Sequence, residues 1–218
     1  MNPIAKTIHS LDWMTLVLFL SLVVLALGKY LSHAKFVNFM ILPFNDKYVL
    51  LYNKKGQLVN WFHFLLTFFQ LVNLSLFVYL SMQTFDMVQF DNPWLSFLMV
   101  IGSIALFELL KLALQSFTGF VFNMQDLIAG LIFSKTSYLN YSSLVIFLAN
   151  VLLTYVLTGS KSTIYITIVL IILINGIGVV KLLKNYQKAL FPYFVYFILY
   201  LCALEIAPLV LIGSYLKG

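Results

Sequence analysis

The 218-residue chain contains no arginine and only two glutamates, and charged residues of every kind make up 9% of it. That leaves too little polar surface to cover a water-soluble globule of this size, so the sequence reads as an integral membrane protein. Without arginine there is no planar guanidinium fork to grip a phosphate or a guanine edge. The net charge of +6 is carried by lysine alone and is no argument for nucleic-acid binding. The single cysteine, Cys202, sits in an apolar run, which excludes an intrachain disulfide and leaves a thiolate metal cluster without neighbours. His9, His33 and His63 fall near the ends of apolar runs with no second ligand at metal spacing. The sequence also has no H-E-x-x-H, no G-x-S-x-G, no P-loop and no dinucleotide fingerprint. A non-catalytic protein without metal or cofactor is therefore expected.

Hydrophobic residues make up 62% of the chain and aromatic residues 17%. Six windows are long enough to cross a hydrocarbon core of roughly 30 Å at about 1.5 Å per helical residue. They lie near residues 11–31, 61–81, 94–116, 139–158, 163–183 and 192–215. Between the first two, Phe36, Phe39, Met40 and Ile41 mix with His33, Lys35 and Asn38, which suits an amphipathic segment lying flat in the interface. Residues 123–133, NMQDLIAGLIF, are apolar but too short to span, and Asn123 and Asp126 resemble the start of a helix. The expected fold is thus an all-α membrane protein of about six transmembrane helices plus a short interfacial or re-entrant helix. No linker or repeat divides it, so residues 1–218 read as one polytopic domain. The first span lacks a small-residue cleavage site and reads as an uncleaved helix.

Both glutamates, Glu108 and Glu205, fall inside expected spans. A charge at bilayer depth costs at least a few kcal/mol, so each needs a proton, a partner or water. In FELLKLALQ, Glu108, Lys111 and Gln115 follow an i, i+3, i+7 series that puts them on one helical face. That face is read as an intrahelical ion pair, with Lys111 snorkelling toward the membrane edge, as part of a proton or ion relay, or as a polar contact with another subunit. Glu205 precedes Pro208, whose missing N–H frees the carbonyl of Leu204. A hydrogen-bonded kink and a proton-exchanging site both fit that arrangement. Asp126 is read as a helix cap or solvated loop acid, with a place in a polar cavity as the alternative. Gln70, Asn73, Asn150 and Asn175 suit interhelical hydrogen bonds, and Gly176 and Gly178 a close helix contact.

Lysine placement sets the expected orientation, because positive residues in short loops stay cytoplasmic. With the N-terminus outside, nine lysines (Lys29, Lys35, Lys47, Lys54, Lys55, Lys135, Lys181, Lys184 and Lys188) lie inside and three (Lys6, Lys161 and Lys217) outside. Both termini are then expected to face away from the cytoplasm.

The C-terminal string YFILYLCALEIAPLVLIGSYL resembles the end of a family of uncharacterised bacterial integral membrane proteins, catalogued as domain of unknown function 4271. The resemblance rests on Leu199, Tyr200, Leu201, Cys202, Leu204, Glu205 and Pro208, and the length and six-span layout fit the family over essentially the whole chain. It implies a bacterial inner-membrane location, with both termini periplasmic under the lysine count, and brings no activity with it. Two functions are expected from these observations. The first is a non-catalytic subunit or scaffold that binds a membrane protein partner, or a second copy, in an envelope assembly or export machine. The second is a small proton- or ion-coupled transporter using Glu108, Lys111 and Glu205.

Overall fold

The computed structural model describes residues 12–45, 47–52, 61–87, 92–121 and 125–190. Among these the chain forms seven helices and no strand: α1 (Asp12–Leu31), α2 (His33–Met40), α3 (Lys47–Tyr52), α4 (Trp61–Thr84), α5 (Pro93–Val121), α6 (Gln125–Tyr155) and α7 (Lys161–Leu190). Five of them, α1, α4, α5, α6 and α7, are long and apolar enough to cross a membrane, which makes this a multi-pass membrane protein. The expected span at 192–215 lies outside the described residues.

Local chemistry sets the helix ends. Pro93 opens α5 at a position where its missing N–H is no loss, and the Asn92 carbonyl accepts the Ser96 N–H at 3.1 Å. Pro43 follows α2; the Leu42 N–H donates to the Phe39 carbonyl in its last turn, and the Phe44 and Asn45 N–H groups donate to the carbonyl of Ile41, the C-cap. Gly159, at φ 73°, makes the left-handed turn that leaves α6, and the Ser160 hydroxyl accepts the Thr163 N–H at the start of α7. Within the helices, hydroxyls fold back onto carbonyls three or four residues earlier, as Ser21, Thr67, Ser75, Ser137 and Thr167 all do. In this way an apolar helix carries hydroxyls without leaving them unsatisfied.

Side-chain contacts fix the helix directions. Trp13 packs edge-on to Tyr79, and Gly28 faces Phe62, so α1 runs antiparallel to α4. Tyr79 also meets Phe97, which makes α5 antiparallel to α4. Asn140 reaches Thr67 and Asn150 reaches Asn73, so α6 runs parallel to α4. Asn175 on α7 meets Ser142, and Gly178 meets Tyr138, so α7 descends against α6. The bundle has two distinct ends. Trp13, Tyr79, Trp94 and Phe97 cluster at one of them. At the other, α2 and α3 close over the helix ends, and Phe39, Tyr48, Phe62 and Phe133 form a second cluster. Lys29, Lys35, Lys47, Lys135, Lys181 and Lys184 belong to this second end, whereas Lys161 belongs to the first. Lys181 ties the second end together by donating to the carbonyls of Pro43 at 3.0 Å and Leu42 at 3.4 Å.

The centre belongs to α4 and α6. Buried residues make up 56% and 50% of an apolar 18-residue stretch of each, against 11% for the corresponding stretches of α5 and α7. The structure corrects one sequence expectation here. Residues 125–133 form no separate interfacial or re-entrant helix; they are the first turns of a continuous 31-residue α6. The polar run SKTSYLNYSS, residues 134–143, lies in the first half of that helix. Ser134, Ser137, Asn140, Ser142 and Ser143 are all buried against neighbouring helices. The run is therefore the polar inner face of a membrane helix.

Candidate functional site

Along α4, His63, Thr67, Gln70 and Asn73 recur every three or four residues and so share a face. Because α4 is central, that face is internal: His63, Gln70 and Asn73 are buried. The matching face of α5 carries Glu108, Lys111 and Gln115. Glu108 and Lys111 are half-buried and Gln115 is buried, whereas Leu106, Phe107, Leu109, Leu110, Leu112 and Leu114 around them are exposed. Gln70 Nε2 donates to Glu108 Oε1 at 2.8 Å, which fixes the antiparallel register of the two helices. In that register Lys111 comes level with Thr67, and Gln115 with His63. On the third side Asn140 Nδ2 of α6 donates to Thr67 Oγ1 at 3.3 Å. The result is a three-helix polar seam at membrane depth, which holds a carboxyl, an ammonium and an imidazole within about two helical turns.

The seam is only partly closed by its own hydrogen bonds. His63 Nδ1, Gln115 Nε2 and Asn140 Oδ1 are buried polar atoms without a hydrogen-bond partner among the described residues. The same holds for Asn73 Oδ1, Asn150 Oδ1 and Thr154 Oγ1 farther along the α4–α6 contact. The His63 ring lies flat on Phe133, centroids 4.9 Å apart, so its position is set by packing while its nitrogen stays available. Below it, burial and, to a lesser degree, the nearby Tyr52 phenol push the Tyr48 phenol well up. Tyr48 is therefore a neutral packing group that closes the lysine-rich end.

The residues singled out from sequence are placed unevenly. Glu108, Lys111 and Gln115 come together in the seam, and Gln70, Asn150 and Asn175 each donate to another helix. Asn73 donates within its own helix to Phe69, and its main-chain carbonyl receives Asn150 at 2.9 Å. Asp126 lies exposed in the first turn of α6. Glu205, Pro208, Cys202 and His9 lie outside the described residues. Sequence reasoning missed His63, Thr67 and Asn140 as members of the site, although the 4, 3, 3 spacing of polar residues along α4 was a usable signal. Gly178 makes the expected close contact, against Tyr138, whereas Gly176 has nothing within 4 Å of its Cβ position. Among the described residues no group of three or more His, Cys, Asp or Glu gathers to hold a metal ion. The arrangement sets hydrogen-bond donors and acceptors, with a carboxyl and a lysine among them, in one line along the α4–α5–α6 contact.

Comparison with curated proteins and with solved structures gives no match. A family model does match, over residues 14–216, and it covers every element of the seam. The chain therefore belongs to the family described as domain of unknown function 4271.

Proposed function

We propose that the chain is a small proton- or ion-coupled membrane protein, non-catalytic in itself, whose α4–α5–α6 seam carries the coupling step. The observation behind this reading is the Glu108 carboxyl held by Gln70 at membrane depth, one turn from Lys111 and two from Gln115. A seam that served only to lock helices together would satisfy its buried groups, because each one left open costs about 1–3 kcal/mol. His63 Nδ1 and Gln115 Nε2 are left open by the described residues. Their retention fits groups that exchange partners. In this reading the lysine-rich end faces the cytoplasm, the membrane is an inner membrane, and the termini lie on the periplasmic side.

A second reading, the partner-binding subunit of an envelope assembly, has its own support. Gly102 on α5 and Gly176 on α7 have nothing within 4 Å of their Cβ positions, on helices whose flanks face outward. Small residues on such flanks let another membrane helix approach closely. Purification in mild detergent followed by reconstitution separates the two readings. Dissipation of an imposed pH or ion gradient by the chain alone supports the coupled reading. A stoichiometric partner, together with a chain that is silent on its own, supports the subunit reading.

A further inference from the structure

We infer that the lysine-rich end of the bundle is a binding surface for anionic phospholipid headgroups, gripped by Lys29, Lys35, Lys47 and Lys184. The inference stands apart from the coupled reading of the seam and holds whichever leaflet this end occupies.

Depth is the first observation. The Trp13, Tyr79 and Trp94 rings gather at one end of the bundle, as an aromatic belt does at a membrane interface. From Tyr79 back to Trp61, α4 covers about 27 Å at about 1.5 Å per residue, close to a hydrocarbon core of about 30 Å. Trp61, 78% exposed, therefore marks the opposite interface. The next residue, Phe62, is the hub of that level: Gly28 of α1, Phe39 of α2 and Tyr48 of α3 all face its ring. Lys29 and Tyr30 follow Gly28 directly, Lys35 stands one turn before Phe39, and Lys47 immediately precedes Tyr48. Lys181 brings α7 to the same level through the Leu42 and Pro43 carbonyls, and Lys184 follows it by one turn. The four lysines thus lie at headgroup depth. Tyr30 and Phe44, 86% and 89% exposed, lie in the same stretches.

Charge is the second. Lys29, Lys47 and Lys184 are exposed and Lys35 is half-buried, and none of the four forms an ion pair among the described residues. The Lys35 ammonium sits 5.7 Å from the centre of the Tyr52 ring, a contact that positions it without cancelling its charge. The described carboxylates lie elsewhere, with one exception. Asp12 and Asp86 belong to the aromatic end and Glu108 to the seam, so only Asp126 shares the end of these lysines. Asp46, outside the described residues, is outnumbered in the sequence by Lys54 and Lys55 in the same stretch. Uncompensated cations at headgroup depth match a lipid whose phosphate carries net negative charge. A zwitterionic headgroup brings its own ammonium and gains little there. The exposed rings favour a lipid over a soluble anion, because they offer its acyl chains an apolar surface. Lysine is a point charge without the planar fork of arginine, so the surface selects for charge and not for the identity of the headgroup.

Bromine quenching of tryptophan tests this, because it reads the lipids beside one ring. In a Trp13→Phe, Trp94→Phe chain only Trp61 remains, at the lysine-rich end; in a Trp13→Phe, Trp61→Phe chain only Trp94 remains, at the other. Each full chain is reconstituted in phosphatidylcholine bilayers that contain acyl-brominated phosphatidylglycerol or acyl-brominated phosphatidylcholine. One lysine at an anionic surface is worth about fivefold in affinity, so phosphatidylglycerol should be preferred beside Trp61 by at least about threefold once averaged over the neighbouring lipids. No preference is expected beside Trp94, and phosphatidylserine should replace phosphatidylglycerol without loss. Changing the four lysines to glutamine in the Trp61 chain should abolish the preference at an unchanged melting temperature, whereas Lys161→Gln, at the aromatic end, should leave it intact. Equal quenching by the two lipids beside Trp61 would overturn the inference and hand the lysines to another occupant, such as an acidic protein surface. A preference that survives the four substitutions, or one equally strong beside Trp94, would overturn it as well. Proton flux through the seam is a separate measurement, so either result leaves the coupled reading to its own test.

Discussion

A methyl group added at Gly178 tests the packing on which the bundle depends. A Cβ built there would lie 2.5 Å from Tyr138 Cγ, 2.8 Å from Cδ2 and 3.0 Å from Cβ, all well inside ordinary carbon contact at about 3.5–4.0 Å. Tyr138 is buried in the aromatic cluster at the lysine-rich end, so its ring has little room to swing aside. Relief requires α6 and α7 to separate by roughly 1 Å, and over-packing of this kind costs about 1–3 kcal/mol. Alanine recovers up to about 1 kcal/mol through its better helix propensity. Gly178→Ala is therefore expected to destabilise by about 0–3 kcal/mol, depending on how much of the propensity gain is recovered. Gly176→Ala is the internal control: nothing lies within 4 Å of its Cβ position, so only the propensity gain of up to about 1 kcal/mol applies. Reversible unfolding in bicelles, with both variants measured beside the parent chain, reads the difference directly. Equal stabilities for the two variants would refute the packing argument.

Three further outcomes follow from single contacts. In a double-mutant cycle, Gln70→Leu and Glu108→Leu should couple by about 0.6–1.7 kcal/mol, the range found for interhelical hydrogen bonds in membranes, and strictly additive stabilities would remove the pair. Lys181→Met should release the corner between α2 and α3, seen as faster amide exchange over residues 41–52 with little change in α4, because it deletes the donor to Leu42 and Pro43. With Cys202→Ser as background, cysteines introduced at 86–91 should label from outside intact cells and those at 47–58 should not; the opposite pattern would invert the proposed orientation.

The comparison of sequence with structure turns on which contacts are local. Long apolar windows have few alternative readings, which is why five spans could be placed from hydrophobicity alone. The α5 face was equally legible, since the i, i+3, i+7 spacing of Glu108, Lys111 and Gln115 needs no knowledge of neighbours. The donor to Glu108 was not, because Gln70 lies 38 residues away and only the antiparallel register brings it there. Asn140 is a stronger case: it lies at the edge of the expected span 139–158, and its partner Thr67 is 73 residues distant. Gly176 and Gly178 look alike in INGIGVV, yet only the one turned toward Tyr138 is close-packed. His63 was read as interfacial from its place at the edge of an apolar window. Its burial follows from α3 and α6 closing over that end, which no local pattern encodes.

The most direct test of the coupled reading is proton flux through liposomes carrying the Glu108→Gln chain. Glutamine keeps the size of the side chain and a carbonyl oxygen to accept from Gln70, so abundance and melting temperature should match the parent chain. What it loses is the ability to take up and release a proton. Dissipation of an imposed pH gradient should then fall to the level of protein-free liposomes. Undiminished flux in Glu108→Gln, at normal abundance, would contradict the account and leave the seam as a helix lock.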